Sequence, residues 1–263
     1  MKKTALITGS TSGLGRALAI ELAQRGYSLA LCGRRKEALL ELMEELPTNQ
    51  GQVYHLLHFD LARPQDYTKL LANAVHTLGP ISYLVLNAGL SQKGFFEKTD
   101  PEVEEILWQV NYQSAVSLTR AWLSHAIEWG SGQIVAVGSI AGRYGAPYLT
   151  TYSATKHALY GFFESLRYEV EQHGIGVLLV TPGFIKTDVA RKALNETGQA
   201  ANQDSKAQAN GIPPERAARK IANSMTKKRK HGVVIAGKEV VFLYLRRLSP
   251  KLFYHLIKKL HGL

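Results

Sequence analysis

Tyr152 and Lys156 stand four residues apart in Thr151-Tyr152-Ser153-Ala154-Thr155-Lys156, heading a run in which Ala158, Leu159, Phe162, Phe163 and Leu166 recur at helical spacing. On a helix an i,i+4 pair shares one face, so a phenol and an ammonium can act on one substrate. The chemistry that suits them is proton transfer. A tyrosine ordinarily titrates near pH ~10, and bringing it three units down requires roughly 4 kcal/mol. An ammonium about 4.5 Å away at an effective dielectric of about 20 contributes ~3.7 kcal/mol. One lysine nearly supplies the shift. In a chain with 12 tyrosines such a pair arises readily by chance; its company at fixed offsets singles it out. Ser139 follows the apolar run Ile134-Val135-Ala136-Val137, and a glycine-rich turn lies near the N-terminus.

These groups need a scaffold, and composition bounds it. With 263 residues and 45% hydrophobic content the chain suffices for one large core. The lone Cys32 allows no internal disulfide and suits a reducing compartment, where it reads as a buried strand residue. Met1-Lys2-Lys3 runs directly into Thr4-Ala5-Leu6-Ile7-Thr8, too short before the first glycine for a secretory signal, and no apolar run of about 18 residues is present. A cytoplasmic location is expected, with room for attachment at a membrane surface. The net charge of +11 is unevenly placed: residues 216–263 hold 13 Lys or Arg against the single acid Glu239. The excess sits in the tail.

Thr4 to Thr8 predicts a buried strand, followed by Gly9-Ser10-Thr11-Ser12-Gly13-Leu14-Gly15 and then a helical pattern through Ala17, Leu18, Ile20, Leu22 and Ala23. A strand, a glycine turn and a helix N-terminus together hold phosphate, because glycine lets the backbone approach and the first-turn N–H groups face the anion. The second strand, Ser28-Leu29-Ala30-Leu31-Cys32, ends at Gly33-Arg34-Arg35, where an acid would hold the ribose 2′-hydroxyl of NAD. Two guanidinium forks suit a 2′-phosphate instead, which favours NADP(H). Alternatively, they merely end a strand and open the next helix.

Further strands are predicted over 53–59, closed by Asp60-Leu61, and over 81–86, closed by Asn87-Ala88-Gly89. Strands alternating with helices imply a doubly wound α/β fold: a parallel Rossmann-type sheet of about seven strands, with ligands at the strands' carboxyl ends. Asp60, Asn87, Gly89 and Ser139 all fall at such ends. A long helical stretch over 101–129 holds Asn111, which is solvent-facing, at a kink, or holding water; its apolar residues pack in the core or against another subunit. A sixth strand over 176–181 turns back through Pro182-Gly183-Phe184-Ile185-Lys186-Thr187. Beyond it, Asn195 to Gly211 has no apolar face and is expected to be mobile, as a substrate lid within about 188–212.

These residues jointly resemble the short-chain dehydrogenase/reductase family over about residues 4–240. Thr8-Gly9, Gly13, Leu14 and Gly15 are similar to its cofactor turn, Asp60 to its adenine contact, and Asn87-Ala88-Gly89 to its fourth-strand motif. Asn111, Ser139, Tyr152 and Lys156 match its catalytic tetrad, and Pro182-Gly183 with Thr187 its nicotinamide-side loop. The resemblance implies a single Rossmann-type domain, usually dimeric or tetrameric, that reduces carbonyls or oxidises alcohols with a nicotinamide cofactor. It implies that Tyr152 exchanges the proton, Ser139 binds the substrate oxygen, Lys156 lowers the phenol pKa and holds the ribose, and Asn111 positions a relay water. Cofactor contacts are then expected from Gly9 through Gly15, Arg34, Arg35, Asp60, Leu61, Asn87, Ala88, Gly89, Tyr152, Lys156, Pro182, Gly183, Ile185 and Thr187, without a metal.

Phe95, Phe96, Tyr144, Tyr148, Leu149 and Phe184 line a substrate pocket or simply pack; the first case favours a hydrophobic, lipid- or steroid-like carbonyl compound. In the extension 241–263, Ser249-Pro250 opens a helix with Leu252, Phe253, Leu256, Ile257 and Leu260 on one face and Lys251, Lys258 and Lys259 elsewhere. Such an end suits an anionic membrane surface or a neighbouring subunit. The tail is similar to that of a membrane-attached branch of the family holding steroid-type dehydrogenases and acyl- or alkyl-dihydroxyacetone-phosphate reductase-like proteins. Nucleic acid is not expected as a partner, since no binding module accompanies the charge. A cofactor-binding sensor or scaffold without turnover is the alternative to an enzyme.

Overall fold

The computed structural model describes residues 3–63, 66–203, 205–226 and 231–261. The first two residues, the last two and residue 204 of the expected lid lie outside the described residues. The chain alternates strand and helix as the apolar pattern demands: β1 (Thr4–Thr8), α1 (Gly13–Gln24), β2 (Ser28–Gly33), α2 (Lys36–Glu45), β3 (Tyr54–His58), α3 (Tyr67–Leu78) and β4 (Tyr83–Leu86). Then come α4 (Pro101–Trp108), α5 (Ser114–Glu128), β5 (Gly132–Val137), α6 (Thr150–Val170) and β6 (Ile175–Pro182). The remainder is α7 (Lys206–Ala209), α8 (Pro214–Met225), β7 (Gly232–Ile235), α9 (Val241–Leu248) and α10 (Pro250–His261).

Among the described residues one seven-stranded sheet runs β3-β2-β1-β4-β5-β6-β7, every neighbouring pair parallel. It is the expected Rossmann-type α/β fold in a single domain. Period-two alternation splits the strand residues between two cores. Leu6, Ala30, Ile134 and Leu179 face Leu71 of α3, Trp122 of α5 and Phe163 of α6. Ala5, Ile7, Leu31 and Val135 face Leu18 of α1, Leu39 of α2 and Ile221 of α8. The inner strands β1, β2, β4, β5 and β6 are buried on both sides, as parallel sheets require, while the edge strands β3 and β7 are partly exposed. Cys32 lies in this core, where burial pushes its thiol up to about 12, so it carries no thiolate chemistry at neutral pH. Strand order reverses between β1 and β4, and the crevice there opens beyond the strands' carboxyl ends.

Two local expectations change. The stretch 101–129 is not one α-helix: a π-helical turn, Gln109–Gln113, separates α4 from α5, and Asn111 sits in it, only 1% exposed. Of the readings open to this asparagine, the structure selects a break in the ladder. A π-turn of this kind recurs at functional sites. The segment after β6 is not without structure either. Its backbone forms a strap in which Leu194 N–H donates to Ser91 O at 2.9 Å and Ala201 N–H to Ala193 O at 2.7 Å. Asn195 Oδ1 closes the turn by accepting from Thr197 and Gln199 N–H. Backbone and side-chain amide bonds replace the missing apolar face.

Candidate active site

The glycine turn packs as tightly as its composition suggests. Gly9 and Gly13 adopt φ of +67° and +55°, which only glycine takes without strain. A Cβ on Gly15 would stand 2.2 Å from Gly9 O, so the α1 entrance admits no side chain there. Ser12 precedes α1 without capping it through its side chain, leaving first-turn N–H groups for an anion. Ser10 faces inward, its Oγ 3.2 Å from Cys32 O. These features fit a dinucleotide's pyrophosphate.

The turn is fixed to β4 by a residue whose role local pattern does not reveal. Thr8 Oγ1 accepts from the N–H groups of Asn87 and Ala88 at 3.0 and 3.1 Å, while Asn87 Nδ2 donates to Thr8 O and Gly9 O. On the β2 side, Arg35 Nη2 reaches Thr11 O and Oγ1, each at 3.1 Å, setting a guanidinium over the turn. Arg34 and Arg35 are exposed, and among the described residues no carboxylate pairs with either. Asp60 organises its own loop by accepting from Ala62 N–H at 3.0 Å, with Leu61 buried beside it. Thr187 approaches from the loop after β6: a Cβ on Gly13 would lie 3.2 Å from its Cγ2. In that loop Ile185 is buried and its carbonyl accepts from Gln208 Nε2 at 2.8 Å.

The four expected catalytic residues meet beside this turn. Ser139 follows β5 and Tyr152 lies in the first turn of α6, with the Ser139 hydroxyl near enough to the phenol to act on its pKa. Burial raises the Tyr152 phenol above its ordinary pKa, and the Ser139 hydroxyl pulls it partly back. The lowering expected of Lys156 therefore does not decide the balance in this state. Lys156 Nζ lies 6.0 Å from the Tyr152 ring centre and donates to Val137 O at 3.1 Å. Burial brings the lysine down to about 8. Gly89 brings the fourth-strand motif to the same place, since a Cβ there would be 3.3 Å from both Lys156 Nζ and Asn111 Oδ1.

Asn111 is held by protein through its side chain. Its Nδ2 donates to Leu90 O at 3.0 Å and Thr155 Oγ1 at 3.1 Å, and Oδ1 accepts from Leu90 N–H at 2.8 Å. Both amide hydrogens are taken by protein. The side chain ties the β4 loop to α6, and a water there would have one Oδ1 lone pair and the π-turn's main chain to bond.

The aromatic set divides. Tyr144 is a packing residue, buried with Ile140 and Ile257 against Phe242 and Phe253, its phenol pushed up to about 12 by burial and then by Glu239. Tyr148 has φ of +66°, a strained setting for an aromatic residue, and meets Phe95 edge-on at 4.9 Å beside the site. Phe96 and Phe184 are exposed, whereas Leu149 directly precedes α6. Two further residues escape local pattern. Glu239 accepts from Phe184 N–H at 2.8 Å, holding the loop after β6, and a Cβ on Gly183, next to Pro182 at the end of β6, would strike it. Gln92 reaches the start of α6. Both act across large sequence separations.

A glycine turn suited to phosphate at the reversal of a parallel sheet, beside a buried lysine and a neighbouring serine and tyrosine, defines a dinucleotide-dependent oxidoreductase class. The family model of short chain dehydrogenases matches residues 3–198, and the chain belongs to that family. A relative, dehydrogenase/reductase SDR family member 7B of Bos taurus, is 37% identical over 257 residues, covering 96% of this chain and 79% of that protein. The short-chain dehydrogenase of Sphingobium yanoikuyae, solved with NADPH, is 27% identical at a TM-score of 0.76, covering 88% of this chain and 87% of that one. A family member from Burkholderia phymatum, solved with NAD, shares the fold at a TM-score of 0.84 and 22% identity, with 95% of each chain covered.

Proposed function

We propose that the chain is an NADP(H)-dependent carbonyl reductase acting on a hydrophobic, lipid- or steroid-like substrate. The observation that carries this reading is the approach of Ser139 to the Tyr152 phenol beside buried Lys156, next to the glycine turn. When bound, the nicotinamide supplies the hydride. The turn from Gly9 to Gly15 holds the pyrophosphate, Arg34 and Arg35 the 2′-phosphate, Asp60 and Leu61 the adenine end. Asn87, Ala88 and Gly89, with Pro182, Gly183, Ile185 and Thr187, flank the nicotinamide end.

Tyr152 gives its proton to the substrate oxygen and Ser139 donates a hydrogen bond as charge develops there. Lys156 favours the phenolate left behind and holds the ribose. The strap within 188–212 forms the lid of a catalytic domain spanning 1–240. A homodimer or homotetramer is favoured by the family, and contact with a membrane surface by the tail. Cys32 and the tail together favour a cytoplasmic location at such a surface. A complete tetrad favours turnover over a sensor role.

The test is NADPH and NADH oxidation over a panel of ketones and aldehydes. Tyr152→Phe is expected to reduce kcat by about 10³-fold or more, on the scale of general acid catalysis, and to leave NADPH binding unchanged. An active phenylalanine variant removes the assignment. Cofactor binding without turnover of any carbonyl compound points to the sensor.

A further inference from the structure

Helix α6 starts without a side-chain cap of its own, for Leu149 precedes it and offers only its main-chain carbonyl, taken by Ser153 N–H. The first N–H groups of a helix have no partner within it. Gln92, from the loop after β4, supplies one. Its Oε1 accepts from Thr151 N–H at 3.1 Å and from Tyr152 N–H at 3.3 Å. The side chain is 1% exposed and its Nε2 lies 3.4 Å from Thr99 Oγ1. Glutamine is seldom this buried without a defined polar task. Here the task is to hold the main chain of the residue that bears the phenol.

The backbone of Gln92 is also where the strap joins the site. It forms a parallel bridge with Leu194. On either side of it, Ser91 O accepts from Leu194 N–H at 2.9 Å and Lys93 N–H donates to Leu194 O at 2.8 Å. Glu196 adds a second fastening by accepting from Phe95 N–H at 3.1 Å. One residue therefore joins the strap to the first turn of α6.

We propose that Gln92 is a positioning residue of the reaction, through which the strap at 193–201 sets the first turn of α6 and hence the Tyr152 phenol against Ser139. The proposal rests on Tyr152 as the proton donor. Gln92→Met keeps the length but leaves two N–H groups without an acceptor. With the carbonyl compound the wild type reduces fastest, kcat is expected to fall roughly tenfold or more. The NADPH dissociation constant, read by fluorescence titration, should stay within about twofold, since the cofactor turn is untouched.

Gln92→Glu retains the acceptor and adds negative charge at a helix N-terminus, which tolerates it. Its kcat should remain within about threefold of wild type. The high-pH limb of its kcat profile should move upward, because a nearby anion raises the pKa of Lys156 and of the phenol alike. Wild-type kcat in Gln92→Met, an unmoved pH profile in Gln92→Glu, or equal loss in both variants overturns the proposal. Should Gln92→Met not fold, the Gln92→Glu profile decides. Tyr152→Phe run alongside separates the two readings. An active Tyr152→Phe removes the proton donor, whereas an inactive one with wild-type kcat in Gln92→Met removes Gln92 alone.

Discussion

Lys156 is a cation held where water does not reach, and that burden is measurable. Burial lowers it from 10.5 to about 8, so at pH 7 the folded protein holds an ammonium at a penalty of about 3 kcal/mol. Between about 8 and 10.5 the folded state binds fewer protons than the unfolded one, so this penalty fades as pH rises through that window and is full below it. The hydrogen bond to Val137 O returns about 1 kcal/mol. Lys156→Met is therefore expected to stabilise the fold by roughly 2 kcal/mol at pH 7 while abolishing turnover. Denaturant unfolding and turnover measured together check it; a destabilised variant contradicts it. Wild-type turnover should decline as pH rises through about 8.

At the scale of elements, the proposed preference for NADP(H) rests on the β2–α2 turn. Arg35 is held to the glycine turn through Thr11, and Arg34 beside it meets no acid among the described residues. If that proposal holds, replacing both by Asp would remove two charge-assisted bonds to a 2′-phosphate and offer an acceptor to a 2′-hydroxyl. The ratio of kcat/KM for NADPH over NADH is expected to drop by roughly 10²-fold, and an unchanged ratio contradicts the role. This turn was legible because Gly33-Arg34-Arg35 ends a strand at a spacing set by backbone geometry. The π-turn at Asn111 was not, since its cause is tertiary: the amide is engaged by Leu90 and Thr155, 21 and 44 residues away. Gln92 was hidden for the same reason, its partners lying 59 and 60 residues on. Periodicity reports which face a residue takes, whereas it says nothing about which distant backbone N–H will be there to be capped. The strap's fastening was not legible, because composition weighs apolar burial and overlooks a backbone held by its own hydrogen bonds.

The whole molecule divides its surface unequally. Helices α9 and α10 lie over the region after β5, with Ile257 buried against Ile140 and Tyr144, so their inner face is covered by the domain. Their outer face stays apolar: Val241, Tyr244 and Leu248 recur along α9, Leu252 and Leu260 along α10, with Leu248 81% and Leu260 64% exposed. Arg247, Lys251, Lys258 and Lys259 are exposed on the same two helices. No helix among the described residues is long and apolar enough to cross a membrane. An apolar face amid cations suits an anionic lipid surface, each near-surface cation contributing about 1 kcal/mol. Truncating the tail would strip Ile257 from Tyr144, so point changes on the outer face are the cleaner probe. Leu248→Glu with Leu252→Glu is expected to abolish flotation with vesicles of about 30% phosphatidylserine while leaving turnover of a water-soluble carbonyl compound intact. Raised salt should weaken wild-type binding in parallel, as screening demands. If the double variant instead dissociates an oligomer and floats as before, that face belongs to a second copy of the chain.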